Sequence, residues 1–143
     1  MKTLVILASV LLVFAAIGVA FAASDNASVT ASVTVPGTIS ITADNLVFAD
    51  TEVGDVTADL SVTVDANADY TVSTKADAAT FAGPTPFAIS NLKFGVTSYT
   101  TSDQTLVSGT APGTTHTVGH TLTVPADTEA GDYSVGITLT ATA

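Results

Sequence analysis

The sequence predicts an all-β protein, and three observations carry that prediction. Threonine occurs 26 times in 143 residues, mostly alternating with valine, leucine or isoleucine, and β-branched residues suit a pleated, half-buried surface. Apolar residues recur at every second position, most regularly over residues 133–141, which is the period of a strand with one buried face. Clusters of Gly, Pro, Asn and Asp separate seven to nine such runs. We therefore expect a single antiparallel two-sheet sandwich, Ig-like or jelly-roll-like in architecture.

The N-terminal 22 residues have the features of a secretory signal peptide. Met1 and Lys2 give a short basic start, residues 3–22 carry no charge, and the run ends in the small-x-small pattern Ala20-Phe21-Ala22. We expect cleavage after Ala22, which leaves residues 23–143 as one β-sandwich domain that is secreted to the cell surface or medium. The alternative is an uncleaved membrane anchor, since about 20 apolar residues can span a bilayer.

The composition of residues 23–143 excludes several classes of partner and cofactor. Loss of Lys2 leaves two lysines against thirteen Asp and Glu residues, a formal charge of −11. Nucleic acid and anionic membranes both require basic surfaces, so we expect neither as a partner. The sequence contains no cysteine, which excludes disulfides and cysteine-ligated metals. We expect no cofactor, apart from the calcium considered below.

The first predicted strand spans residues 28–35 and contains no charge or proline. Val29, Ala31, Val33 and Val35 share one face with the period of a strand, and Pro36-Gly37 ends the run. A second strand covers residues 39–43, and a short apolar piece follows at residues 46–48.

The middle of the chain is predicted to form a hairpin. Alternating residues 56–64 direct Leu60 and Val62 inward, residues 65–69 form the turn, and Tyr70 begins the returning strand. Residues 76–86 then cross between sheets as a loop. Residues 87–96 return to strand-like composition, and an edge strand is expected around residues 105–107.

The last two runs are predicted to pair with each other and to close the sandwich. Residues 115–124 and 133–142 alternate in the same way, and turn-forming residues 125–132 connect them. Combined with the central hairpin, this pattern predicts a core that contains Leu60, Val62, Tyr70, Leu122, Tyr133, Ile137 and Leu139.

The residues for catalysis are not found in the sequence. No nucleophile motif, P-loop or arginine occurs, and His116 and His120 are the only histidines. Four residues apart on one strand, they share a face at a separation of about 13 Å, which is too far for both to bind one metal ion. We expect His120 at the margin of the core, no catalytic residues, and no enzyme.

A calcium site is the one metal hypothesis that the sequence supports. Asp65-x-Asn67-x-Asp69 matches the opening of an EF-hand loop, but Tyr70 and Ala76 occupy the positions of its glycine and glutamate. A looser site at one end of a sheet remains, and otherwise these side chains are solvated turn residues. Its ligands would come from Asp50, Glu52, Asp55, Asp65 and Asp69.

Two motifs resemble a group of prokaryotic surface proteins. Val62-Thr-Val-Asp-Ala-Asn-Ala-Asp-Tyr70-Thr-Val and Leu122-Thr-Val-Pro, followed by Ala130-Gly-Asp-Tyr133 through Leu139, are similar to motifs of TasA/camelysin-like biofilm-fibre subunits and of archaeal bundling-pilus subunits. The resemblance implies a secreted sandwich that polymerises by donor-strand complementation, with a strand of one subunit completing the sheet of the next. It implies no catalytic residues.

The sequence supports two alternative functions, one structural and one in binding. The first is a structural subunit of an extracellular filament, sheath or biofilm matrix, a homopolymer whose assembly strand contains Ser28, Val29, Ala31, Val33 and Val35. That strand is either paired within its own sheet or donated to a neighbour. The alternative is a secreted adhesin or carbohydrate-binding module that binds an extracellular polysaccharide through residues 76–86 and 97–114, where Tyr99 is the one aromatic in a polar loop.

Overall fold

The computed structural model describes residues 30–143, which comprise a short stretch at residues 30–34 and a β body, Val35–Ala143. The predicted signal peptide, Ser28 and Val29 lie outside the described residues. Within the part of the chain that is described, no helix has the length and apolar character needed to cross a bilayer.

Eight strands make up the β body, and both the all-β prediction and the prediction of two antiparallel sheets are confirmed. The one helical element among residues 30–143 is a three-residue 3-10 turn, Ile89–Asn91. The strands are β1 Ile39–Ala43, β2 Gly54–Ala66, β3 Tyr70–Ala76, β4 Leu92–Phe94, β5 Thr97–Ser98, β6 Gln104–Gly109, β7 Thr115–Val124 and β8 Ile137–Thr142.

The strands form a five-stranded sheet, in the order β1-β2-β7-β4-β5, and a three-stranded sheet, in the order β6-β3-β8. The chain changes sheet after β2, β3, β5, β6 and β7. At the crossing before β7, Gly113 has a φ of 94°, and a Cβ atom there would collide with the carbonyl of Val64. Glycine is therefore required where this connection passes over β2.

The predicted central hairpin is wrong, because β2 and β3 belong to different sheets. β2 pairs with β1 and β7, whereas β3 pairs with β6 and β8. The turn around Asn67 therefore carries the chain from one sheet to the other. The inward faces of both strands meet in one core cluster that includes Leu60, Val62, Tyr70 and Val72, so the two sheets pack face to face.

The predicted pairing of the last two strands is also wrong. β7 lies between β2 and β4 in the larger sheet, and β8 lies at the edge of the smaller sheet beside β3. Residues 133–136 do not belong to β8, and Ser134 makes only an isolated bridge to Ala82. By contrast, the edge strand expected around residues 105–107 is present as β6.

The core consists of two clusters of side chains between the sheets. Leu60, Val62 and Tyr70 are buried in one of them, and Leu122 is buried in the other. Three of the expected core residues are only half-buried and pack against these clusters from outside, namely Tyr133, Ile137 and Leu139.

Candidate assembly site

The described end of the predicted N-terminal strand is not part of either sheet. Residues 30–38 have no strand assignment and are exposed, so no strand is formed over the described part of the predicted strand, residues 30–35. Val33 is 87% and Val35 72% exposed, and burying a valine is worth about 1.5 kcal/mol or more. This segment therefore presents exposed apolar side chains, and its backbone forms no ladder with any strand among residues 30–143.

The side chain of Asn67 holds the chain just after this segment. Its Oδ1 accepts a hydrogen bond from the Thr38 N–H at 2.7 Å, and its Nδ2 donates to the Pro36 carbonyl at 3.0 Å. Its backbone N–H also donates to the Thr38 carbonyl at 3.2 Å. Three bonds from one residue thus fix the direction in which the chain enters β1. Asn67 is the asparagine of the first motif above, but the spacing alone did not indicate this contact.

Among residues 30–143, strand β8 has one edge without a partner strand, and the pairing with β3 identifies which residues face that edge. The Asp77 N–H donates to the Gly136 carbonyl at 2.9 Å, which continues the β3–β8 register. Hydrogen-bonded and non-hydrogen-bonded pairs alternate along an antiparallel ladder, so even-numbered residues of β8 bond to β3. Ile137, Leu139 and Ala141 therefore direct their N–H and C=O groups away from the sheet.

Strand β1 has a free edge of the same kind in the other sheet. The Asn67 N–H bonds the Thr38 carbonyl, and the Asp44 N–H bonds the Ser61 carbonyl at 3.2 Å, both in register with the β1–β2 ladder. By the same alternation, Ile39, Ile41 and Ala43 direct their backbone groups outward.

The free edges of β1 and β8 lie on the same side of the sandwich, where Cα atoms of the two strands approach within 8 Å at several positions. The inward side chains along them are only half-buried although they pack against the core cluster around Val62. These side chains are Ile39, Ile41, Leu139 and Ala141. We call this side, formed by β1 and β8, the lateral seam.

The two remaining sheet edges are protected. β5 has only two residues, and the β3–β6 ladder contains a register shift beside Val72. The Lys75 Nζ lies 3.9 Å from the Asp103 Oδ1 at the start of β6. Short edge strands, bulges and charges are the usual means by which proteins prevent edge-to-edge pairing. β1 and β8 have no charge, proline or bulge within the strand.

His120 belongs to a buried chain of hydrogen bonds. Its Nδ1 lies 2.9 Å from the Val118 carbonyl, which can only accept, so Nδ1 carries the proton. Nε2 then accepts from the Tyr99 hydroxyl at 2.9 Å, and the Thr74 hydroxyl donates to the Tyr99 oxygen at 3.4 Å. His120 is 1% exposed, so it lies within the core rather than at its margin.

Burial shifts the proton affinities of this buried chain. Desolvation lowers the pKa of His120, although the bond to the Val118 carbonyl and the charge of Asp59 oppose the shift. Desolvation raises the pKa of Tyr99, partly offset by the Thr74 hydroxyl. Tyr99 lies in the loop after β5, as expected, but it is 0% exposed, so its ring is not available to a ligand. Its neighbours in the sequence are Ser and Thr, so no local pattern indicated that Tyr99 is buried.

His116 forms a second tyrosine–histidine pair farther along β7. Its Nε2 lies 2.8 Å from the Tyr70 hydroxyl. The Nε2 atom of each histidine is therefore hydrogen-bonded to a tyrosine hydroxyl. Both histidines lie on β7, whereas Tyr70 begins β3 and Tyr99 follows β5. The arrangement satisfies polar groups within and beside the core and does not present two free ligands to one ion.

The five carboxylates of the calcium hypothesis do not converge. Asp55 and Asp65 lie in the same strand, β2, and ten residues of strand rise separate them by about 33 Å. Asp50 and Glu52 precede the Asp55 end of β2, whereas Asp69 follows the Asp65 end. The strand therefore places these carboxylates at opposite ends of β2 and does not bring the five together at one sheet end. Among residues 30–143 no group of three metal-binding side chains is found.

The loops of the adhesin alternative turn their aromatic side chains inward. Phe81 of the first loop is buried and stacks on Phe87, the residue just after that loop, with ring centroids 4.8 Å apart, and Tyr99 of the second loop belongs to the same core cluster. Sugar binding by stacking would need exposed rings, and these three are used in packing.

No protein-family model matches the sequence, and no curated protein matches it either. Function must therefore be inferred from the geometry of the chain itself.

Proposed function

We propose that this protein is a structural subunit of an extracellular filament, sheath or biofilm matrix, and that copies assemble by strand donation. One observation carries the proposal. Residues 30–35 alternate apolar and hydroxyl side chains without any charge, yet belong to no strand and expose Val33 and Val35. In the proposal, a signal peptide is removed after Ala22 and the Ig-like or jelly-roll-like sandwich assembles outside the cell.

Pairing with another copy accounts for the strand-like alternation of residues 30–35 and for their exposure in the single subunit. A strand that joins a sheet edge satisfies its backbone N–H and C=O groups and buries alternate side chains. The energy comes from the face that contains Ala31, Val33 and Val35, while Ser32 and Thr34 stay in water. Because the donor leads directly into the Asn67-held entry to β1, each subunit is tied covalently to the strand it donates.

The proposal is tested by placing a charge on either face of the segment. In Val33→Asp the carboxylate must be buried against the neighbour's core, so polymerisation should fall at least tenfold, since burying an unpaired charge costs several kcal/mol. In Thr34→Asp, the matched control, the same charge points to solvent and polymers should form as in the wild type. Electron microscopy and light scattering of the mature protein provide the measurement.

Both substitutions lie on exposed positions of the single subunit, so neither should change the melting temperature of the monomer. If the two variants polymerise equally well, the segment is not a donated strand. Failure of the wild-type protein to polymerise under any condition would also overturn the proposal.

A further inference from the structure

We infer that the outer edge of β8 is the acceptor for residues 28–35 of a second copy of this chain. The inference rests on the proposed function and adds the surface that receives the donated strand. The added strand would extend the smaller sheet to the order β6-β3-β8-donor.

The backbone of β8 offers the required partners. Ile137, Leu139 and Ala141 point their N–H and C=O groups outward, as the Asp77–Gly136 hydrogen bond establishes. This is a row of free donors and acceptors two residues apart, with no charge or proline in the strand. The donor segment has the same two-residue period, so every second residue of each strand can bond to the other.

The inward side chains along this edge are partly exposed to solvent, and a donated strand would bury them. Ile137, Leu139 and Ala141 are each half-buried although all three face the core. The sandwich has five strands in one sheet and three in the other. A strand added to the smaller sheet would make the two sheets more equal in size. Val33 and its neighbours on the donor would lie beside these side chains and next to the half-buried residues of β1 at the lateral seam.

The outer faces also match in chemistry. Thr138, Thr140 and Thr142 are exposed on the solvent side of β8, and Thr71 on β3 already hydrogen-bonds Ser108 on β6 at 3.3 Å. The solvent side of the smaller sheet is thus rich in hydroxyl groups. The outward residues of the donor are Thr30, Ser32 and Thr34, which continue this hydroxyl surface, and Thr–Thr and Thr–Ser pairs across strands are favourable.

The other edges are less suited to the donor. β5 is two residues long and β6 adjoins a register shift and the Asp103 charge. β1 also lies at an edge among the described residues, but it belongs to the larger sheet, where an added strand would make six strands face three.

Disulfide crosslinking tests the acceptor directly, because the natural chain contains no cysteine. Ser32→Cys on the donor is combined in turn with Thr138→Cys, Thr140→Cys or Thr142→Cys on β8. A disulfide forms only when the two Cα atoms lie within about 7 Å of each other. Three positions along β8 are used so that parallel and antiparallel donors, and neighbouring registers of each, are all covered. Ser32→Cys combined with Thr42→Cys on β1, or with Thr105→Cys on β6, provides matched controls at exposed positions.

After polymerisation and mild oxidation, at least one β8 pair should give a ladder of covalent multimers on a denaturing gel, and reduction should return it to monomer. The β1 and β6 pairs should stay monomeric, as should Ser32→Cys alone apart from simple dimers. Polymers that crosslink through Thr42 or Thr105, or through none of the β8 cysteines, overturn the acceptor assignment while strand donation stands. Absence of polymer from the wild-type protein overturns the proposed function and this inference together.

Discussion

His120, Tyr99 and Thr74 show how single residues can place polar groups in an apolar core without loss of stability. Each polar atom in this chain has a partner, from the Thr74 hydroxyl through the Tyr99 hydroxyl to the Val118 carbonyl. Within residues 30–143 no buried side-chain nitrogen or oxygen lacks a hydrogen bond. An unsatisfied buried group costs about 1–3 kcal/mol, so the neutral imidazole is required for the core to stay intact.

Acid should therefore destabilise the protein through His120. Because burial lowers its folded-state pKa, the unfolded chain binds a proton at a higher pH than the folded chain, near about 6.5. Stability is full above that pH and is lost as the pH falls from it through the folded-state pKa. The loss is about 1.4 kcal/mol for each tenfold difference in proton affinity. Urea unfolding at pH 8, 6.5 and 5 measures it.

A variant at each histidine separates this contribution from others. His120→Gln should flatten the change in unfolding free energy between pH 8 and pH 5, whatever its stability at pH 8. His116→Gln, the control on the same strand, should keep the acid sensitivity that His120 confers. The buried hydrogen-bond chain is not the source of acid sensitivity if the His120 variant retains the full wild-type slope.

At the scale of strands, alternation predicts which residues face inward but not which strand is the neighbour. Leu60, Val62, Tyr70 and Leu122 are buried as their period of two requires. A strand pair joined by a short turn buries the same face whether the two strands lie side by side or in opposite sheets. For this reason both predicted pairings failed at the turns around Asn67 and Pro125 while the inward faces stayed correct.

The candidate assembly site could likewise be predicted only in part. The charge-free alternation of residues 28–35 marks this segment in the sequence as the proposed donor, since such a strand needs a partner. The proposed acceptor could not be predicted, because which strand lies at an edge depends on the order within the sheet. The contact between Asn67 and residues 36–38 joins positions about 30 apart in sequence, and no local pattern encodes it.

Loss of the Asn67 side chain should loosen the entry to β1. In Asn67→Ala the Thr38 N–H and the Pro36 carbonyl lose their side-chain partners. A hydrogen bond of this kind contributes about 1 kcal/mol, so hydrogen exchange of the Thr38 amide should accelerate about fivefold. Polymerisation should slow, because the donated segment no longer leaves in a fixed direction. Amide exchange by NMR and light scattering measure the two effects.

Asn91→Ala is the matched control for this change. Its Nδ2 donates to a nearby backbone carbonyl, that of Ala88, at 3.0 Å, so the variant loses an amide-to-backbone bond away from β1. It should leave Thr38 exchange and polymerisation unchanged. Equal behaviour of the two variants would show that Asn67 has no special influence on the N-terminal segment.

At the scale of the whole molecule, the net negative charge would oppose the proposed assembly of copies. The chain carries a formal net charge of −10 and only three basic residues, so approaching copies repel each other. Raising NaCl from 10 to 150 mM shortens the screening length from about 30 Å to about 8 Å, and polymerisation should accelerate several-fold. Sucrose at matched osmolality is the control, and a rate that is unchanged or lower in salt contradicts the expectation.

The order of the strands also governs when the molecule can fold. Gly54 pairs with Val124 in the larger sheet, and Thr71 pairs with Thr142 in the smaller one. These two ladders join residues between 52 and 71 positions apart, and closing such long loops makes folding slow, in the range of milliseconds to seconds. A chain that emerges progressively, from a ribosome or through a membrane channel, cannot complete either sheet until β7 and β8 have appeared. Its N-terminal segment is therefore delivered before the edge that would receive it exists.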